Sequence, residues 1–254
     1  MFVHRVAELE QVQALIASEA SDRTIAEITG VPRRTVADWR AGKGLARRPV
    51  DDRCPCTGVR EWTAVPPESY SYLLGLYLGD GCISTGRRGV HRLRIFSDAR
   101  HVGIVAACAT AMETILPGKA AHRYSRHGSR CVEVSMWWKH WPCYFPQHGP
   151  GRKHLRPIAL ADWQAAIVRT QSEAFVRGLL HSDGCRFIAR DMSNGREHMY
   201  VRYTFSNRSE DIKGLLCRSL DELGIGWTRA GSKEIAIARR GSVARLEAFV
   251  GPKY

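Results

Sequence analysis

The string GLYLGDGC at residues 75–82 returns as GLLHSDGC at residues 178–185. Gly75, Leu76, Asp80, Gly81 and Cys82 meet Gly178, Leu179, Asp183, Gly184 and Cys185 at a constant spacing of 103 residues. One G-L-x-x-x-D-G string arises by chance; two in register, with matches downstream, mark an internal duplication. Phe96-Ser97-Asp98 is matched by Phe205-Ser206-Asn207, and Cys108 by Cys217, at a spacing of 109, which puts six extra residues around ARDMSNGREH in the second copy. Later, EVSMWWKHW from Glu133 meets EIAIARRGS from Glu234 and sets Lys139 opposite Arg240.

Hydrophobic periodicity gives both copies the same order: helix, strand, strand, helix, strand, strand, helix. In the first copy HRLRIFS (91–97) alternates, VGIVAACATAMETIL (102–116) has helical spacing before Pro117-Gly118, and RCVEVSM (130–136) alternates again. YVRYTFS (200–206), DIKGLLCRSLDELG (211–224) and EIAIA (234–238) repeat the pattern. The expected fold class is α+β, a tandem αββαββα arrangement.

The chain before the duplication reads as a small all-α module. AELEQVQALIASE carries Leu9, Val12, Leu15 and Ile16 at helical spacing; Ser21 or Asp22 caps a second helix, and Gly30 ends it. A third helix follows with Pro32 in its first turn. Helix, glycine turn, helix is the pattern of a helix-turn-helix, with Ala26, Ile28, Val31, Val36 and Trp39 as its core. Arg33, Arg34 and Thr35 then open a recognition helix, and Arg40, Lys43, Arg47 and Arg48 extend the positive surface. The expected boundaries are a helix-turn-helix domain at 1–48, a linker at 49–66, a first repeat at 67–149, a second linker at 150–172 and a second repeat at 173–254.

The 254 residues carry 38 Lys+Arg against 25 Asp+Glu, a net charge of +13. Such an excess suits a polyanion, because basic side chains release condensed counterions from nucleic acid. Residues 1–50 supply only +2 of it, so the repeats carry most of the positive field. No stretch approaches the roughly 18 apolar residues of a membrane span, and the eight cysteines form no disulfide framework. A cytoplasmic protein with reduced thiols is expected. Cys54-Pro-Cys56 is too tightly spaced for a zinc knuckle, and His140, Cys143, His148 and His154 fit no familiar finger; both are read as structural.

The doubled xxGLxxxDG motif, each copy opening an αββαββα unit, resembles the LAGLIDADG homing endonucleases in their single-chain, two-repeat form. The resemblance covers about residues 67–254. It implies a homing-endonuclease-like saddle in which the two motif helices pack side by side, with Gly75, Gly79, Gly178 and Ser182 as the small residues at their contact. Gly81 and Gly184 would end the helices in the left-handed conformation. Asp80 and Asp183 would then meet at the foot of the pair, where two carboxylates oppose each other and both helix dipoles. A divalent cation, Mg²⁺ or a relative, relieves that repulsion, with carbonyls near Gly79 and Ser182 as added ligands. Lys139 and Arg240, or equally Arg239, match the late-strand region where the family carries basic residues.

The strands would follow the major groove of double-stranded DNA. Arg87, Arg88, Arg92 and Arg94 in the first copy, and Arg186, Arg190, Arg196 and Arg202 in the second, are the candidate contacts. With both halves on one chain, a monomer with internal pseudo-two-fold symmetry is expected. The expected activity is site-specific, metal-dependent cleavage of both DNA strands. The rival reading is a non-cleaving DNA-binding regulator on the same scaffold.

Overall fold

A computed structural model describes residues 6–42, 65–86, 89–125, 128–193 and 196–251. The chain divides into two compact units, Met1–Asp52 and Arg53–Tyr254.

The first unit holds α1 (Val6–Ala17), α2 (Asp22–Thr29) and α3 (Arg33–Arg40). Ser21 is the N-cap of α2: its Oγ accepts the Thr24 backbone N–H at 3.2 Å. Gly30, at φ +70°, ends that helix by donating its N–H to the Ala26 carbonyl, a left-handed cap that costs glycine nothing. Pro32 stands as the N-cap of α3, one residue earlier than expected. Val12, Ile25, Val31 and Val36 are buried, with Leu15, Ile16, Ala20, Ala26 and Trp39 packed on them. Ile28, expected in this core, is 56% exposed. At 100° per residue it falls roughly 60° outside the arc shared by Ile25, Thr29 and Ala26.

The second unit is the duplicated body. Its first copy runs α4 (Pro67–Asp80), β1 (Gly81–Thr85), β2 (His91–Asp98), α5 (Val102–Ile115), β3 (His122–Ser125), β4 (Cys131–Trp138) and α6 (Trp141–Tyr144). A short 3₁₀ turn at Lys153–Leu155 and α7 (Asp162–Thr170) lead to the second copy. That copy is α8 (Ser172–Asp183), β5 (Gly184–Ser193), β6 (Arg196–Ser206), α9 (Glu210–Glu222), β7 (Thr228–Arg229), β8 (Glu234–Ile237) and α10 (Arg240–Val250). Each copy builds a four-stranded antiparallel sheet, in the orders β1-β2-β4-β3 and β5-β6-β8-β7. The fold is thus α+β, with two αββαββα repeats behind a small helical part. Among the described residues no helix is long and apolar enough to cross a membrane.

The two motif helices sit at the centre. Every residue of α4 from Tyr70 to Leu78 is buried, as suits a helix that is apolar on all sides. α8 packs along it so closely that backbone meets backbone. A Cβ on Gly75 would lie 2.6 Å from the Phe175 carbonyl oxygen and 2.7 Å from the Leu179 nitrogen, and one on Gly178 would run into the Tyr72 carbonyl. A Cβ on Gly79 would collide with the Ser182 side chain.

Gly81 and Gly184 correct the expectation of left-handed caps. Both are extended, at φ −97° and −87°, and lead straight into β1 and β5. Glycine is needed there for space: a Cβ would lie 2.5 Å from Tyr77 Cα in the first copy and press on the Leu180 carbonyl in the second.

Strand register also refines the alignment of the copies. Gly81 faces Ile95, which faces Val134; Gly184 faces Phe205, which faces Ile235. Phe205 therefore stands in the place of Ile95 rather than Phe96, and the second hairpin is longer by seven residues rather than six. The core requires this, since Ile95 and Phe205 both point inward, at 2% and 0% exposure.

Replacing Gly75 or Gly178 by alanine should destabilise the unit by about 2 kcal/mol or more through forced separation of the helices. Gly214→Ala in α9 should instead stabilise it by about 0.5–1 kcal/mol, because the new Cβ meets only the flexible end of Arg218 at 3.4 Å. Urea unfolding midpoints compare the three variants.

Candidate active site and nucleic-acid interface

Asp80 and Asp183 are the last residues of α4 and α8, and both line one cleft of about 440 Å³ together with Gly79, Cys82, Phe96, Lys153, His154, Asn207 and Arg208. Asp80 is exposed and Asp183 half-buried. The bare Gly79 lets α8 close in: Asp183 Oδ2 lies 3.0 Å from where a Gly79 Cβ would stand. Asn207, just past β6, donates its Nδ2 to Asp183 Oδ2 at 2.6 Å and so orients that carboxylate.

A half-buried cation in this cleft is Lys153, from the segment between the repeats. Its Nζ donates to the Tyr77, Leu78 and Gly79 carbonyls, the latter two at 2.9 and 3.1 Å, and lies 4.9 Å from the centre of the Tyr77 ring. The Leu78 and Gly79 carbonyls are ones the helix end leaves without helical partners, while that of Tyr77 also accepts the Gly81 N–H; a cation there offsets the negative end of the dipole. Burial pushes the Lys153 ammonium down to about 8, while the carboxylates of Asp183 and Asp80 hold it up. The Gly79 carbonyl, a candidate metal ligand by sequence, is already an acceptor from this lysine. The Ser182 hydroxyl is likewise engaged, donating to the Leu179 carbonyl at 2.8 Å.

Lys139 and Arg240 are not brought to the aspartates. β1 leaves the Asp80 end, β2 returns to it and β4 leaves again. Lys139 therefore lies five residues beyond Val134, which sits in the row of Gly81, about 17 Å along the strand direction. Arg239 and Arg240 follow β8 in the same way, beyond Ile235. Sequence reasoning missed Lys153 because nothing local marks it: it stands among four other basic residues in a stretch read as a linker.

The arginine candidates divide by sheet face. Arg92 and Arg94 alternate with buried Leu93 and Ile95, so they project from the face away from the helices. Arg202 does the same against Tyr203 and Phe205. Arg186, paired with Tyr203 in the ladder, lies on the opposite face and is held by Glu247 of α10, Nε to Oε1 at 2.9 Å. Arg190 shares that face, 3.6 Å from Glu197. Arg87, Arg88 and the side chain of Arg196 lie outside the described residues, as do Cys54 and Cys56. In the first unit Arg33 and Arg34 are exposed and Thr35 half-buried. Arg40 is tied to Asp22 at 2.7 Å and to the Ala20 carbonyl.

His140 packs on Trp138 and His148 on His91, at 5.3 and 6.2 Å between ring centres. Among the described residues no group of three or more His, Cys, Asp or Glu side chains converges on a metal position. The chemistry of the cleft is that of two carboxylates with hard oxygen donors, the donor type that suits a hard divalent cation such as Mg²⁺.

The charge on Lys153 should be present below a pH of about 8 and lost above it. In the Asp80→Asn, Asp183→Asn double variant its midpoint should fall further, since the two carboxylates favour the charged form. ¹³Cε chemical shifts followed through a pH titration measure both midpoints.

No protein-family model and no curated protein sequence matches the chain. Among solved structures, I-DmoI in complex with DNA and Mn is 16% identical, over 74% of this chain and 99% of that one, with a TM-score of 0.47. The N-terminal LAGLIDADG domain of DUF199/WhiA is 15% identical, over 74% and 83%, at 0.42. The LAGLIDADG meganuclease I-AabMI bound to uncleaved DNA is 14% identical, over 71% and 82%, at 0.44. In its doubled motif and the order of its helices and strands, the chain resembles the single-chain LAGLIDADG homing endonucleases.

Proposed function

We propose that the protein is a site-specific DNA endonuclease that hydrolyses phosphodiesters on both strands with a divalent cation. The observation that carries this reading is the pairing of Asp80 and Asp183 at adjoining helix ends in one cleft with Lys153. Asp80 and Asp183 would hold the cation, which when bound neutralises phosphate charge and acidifies water. Lys153 contributes a second positive charge facing the same cleft, and Asn207 keeps the Asp183 carboxylate turned toward it. The outer sheet faces, with Arg92, Arg94 and Arg202, would bind the duplex, and the helical unit with Arg33, Arg34 and Thr35 would add a separate contact. One chain would act as a monomer, its two repeats serving the two strands.

One observation favours a second reading, a non-cleaving DNA-binding regulator. Lys153 already sets a protein cation on the carbonyls of the α4 terminus, so the fold does not need a metal to relieve that helix end.

Incubating a randomised duplex library with Mg²⁺ or Mn²⁺ separates the two. The wild-type chain should cut a subset of sequences. Asp80→Asn and Asp183→Asn should each lower cleavage by about a hundredfold or more while still retaining the same duplexes in a filter-binding assay. Sequence-specific retention with no nicking in either metal would defeat the endonuclease and leave the regulator.

A further inference from the structure

On the outer face of the first sheet, Arg92 and Arg94 do not extend freely. Both converge on Glu133 of β4, whose side chain is only 8% exposed. Arg94 donates Nε to Glu133 Oε2 at 2.9 Å and NH2 to the same oxygen at 2.5 Å. Arg92 donates Nε and NH2 to Ser135 Oγ at 3.2 and 3.0 Å, and its NH2 lies 2.7 Å from Glu133 Oε1. That last contact is an ion pair without hydrogen-bond alignment, since Oε1 accepts no hydrogen bond. Each guanidinium is also braced by a ring, Arg92 on Trp137 at 5.5 Å and Arg94 on Phe96 at 5.0 Å. Burial opposes ionisation of Glu133, and the Arg94 hydrogen bond with the charges of both arginines outweighs it, leaving its carboxyl below the usual range.

A carboxylate at the centre of a surface meant for a polyanion is electrostatically unfavourable unless it does something the charge does not. Here it occupies the Nε–NH2 edge of Arg94. The NH1 ends of both arginines make no hydrogen bond among the described residues. A guanidinium clamped at one edge and stacked on a ring has lost most of its rotamer freedom, and its remaining end is a planar pair of donors that matches guanine O6 and N7.

The second repeat lacks this arrangement. By ladder register Arg202 takes the place of Arg92, but Thr204 replaces Arg94 and Ala236 replaces Ser135. Arg202 instead donates to Tyr200 Oη at 2.6 Å and lies over that ring. The side chain of Glu234, the counterpart of Glu133, accepts from Ser206 Oγ at 3.4 Å.

We propose that Glu133 is a specificity-determining positioning residue: it holds Arg92 and Arg94 as rigid guanine readers, so guanine selectivity is concentrated in the half of the target bound by the first repeat. The inference rests on the DNA-binding reading above and does not depend on cleavage.

The test selects duplexes from a randomised library with the full chain in Ca²⁺, sequences the bound pool, and repeats this with Glu133→Gln and Arg94→Lys. The wild type should show a strong guanine preference at one or two positions in one half-site only. Glu133→Gln should lower that preference about tenfold or more, although loss of a negative charge by itself favours DNA binding. Arg94→Lys, which keeps the charge but not the fork, should lose the preference and guards against a folding defect in the first variant. An unchanged guanine preference in Glu133→Gln, whatever Arg94→Lys does, or a flat profile in the wild type, overturns the inference alone. A wild-type chain that retains no duplex overturns the proposed function and this inference with it.

Discussion

Backbone contact between α4 and α8 is the constraint on which the molecule depends. Helices approach that closely only where side chains are missing, and here Gly75 and Gly178 supply the gap on both sides. The cleft and both sheets of the second unit take their positions from that contact. The carboxylates end the two helices, so they share a cleft because the helices share a seam. The strands leave directly from Gly81 and Gly184, so the sheets are set by the same seam. A methyl group at its centre would move all of these together, which is why the pair tolerates so little there.

The electrostatics of the cleft follow from geometry rather than composition. Two helix C-termini and two aspartates gather negative charge in one place, and Lys153 answers part of it from outside either repeat. The lysine is held by backbone carbonyls, so its position does not rely on either carboxylate. This leaves the aspartates oriented by other means, as Asn207 does for Asp183.

Much of this was legible in the residues, and the failures have identifiable causes. The repeat, the strand alternation and the pairing of Asp80 with Asp183 are periodic signals, and periodicity survives folding. Placing Lys139 and Arg240 from a linear match failed because position along β4 and β8 depends on strand direction, which alternates with each connection. Lys153 was invisible because its partners are backbone carbonyls about 75 residues away, and carbonyls carry no sequence identity. The one-residue error between Phe96 and Phe205 arose because like residues were aligned where the ladder aligns like burial. Ile28 failed for a related reason: it is apolar, but its helix turns it away.

The unequal hairpins have a consequence for how such a chain can change. Seven residues were added or lost between Gly184 and Phe205 relative to the first copy, an odd number, yet no inward residue changed face. Pairing is counted from the helix end, so the surplus is taken up at the distal tip. The tips can therefore lengthen, shorten or exchange residues over generations without disturbing the seam. The two halves can thus differ at their tips while the seam, where Gly75 and Gly178 leave no room for a Cβ, holds one geometry.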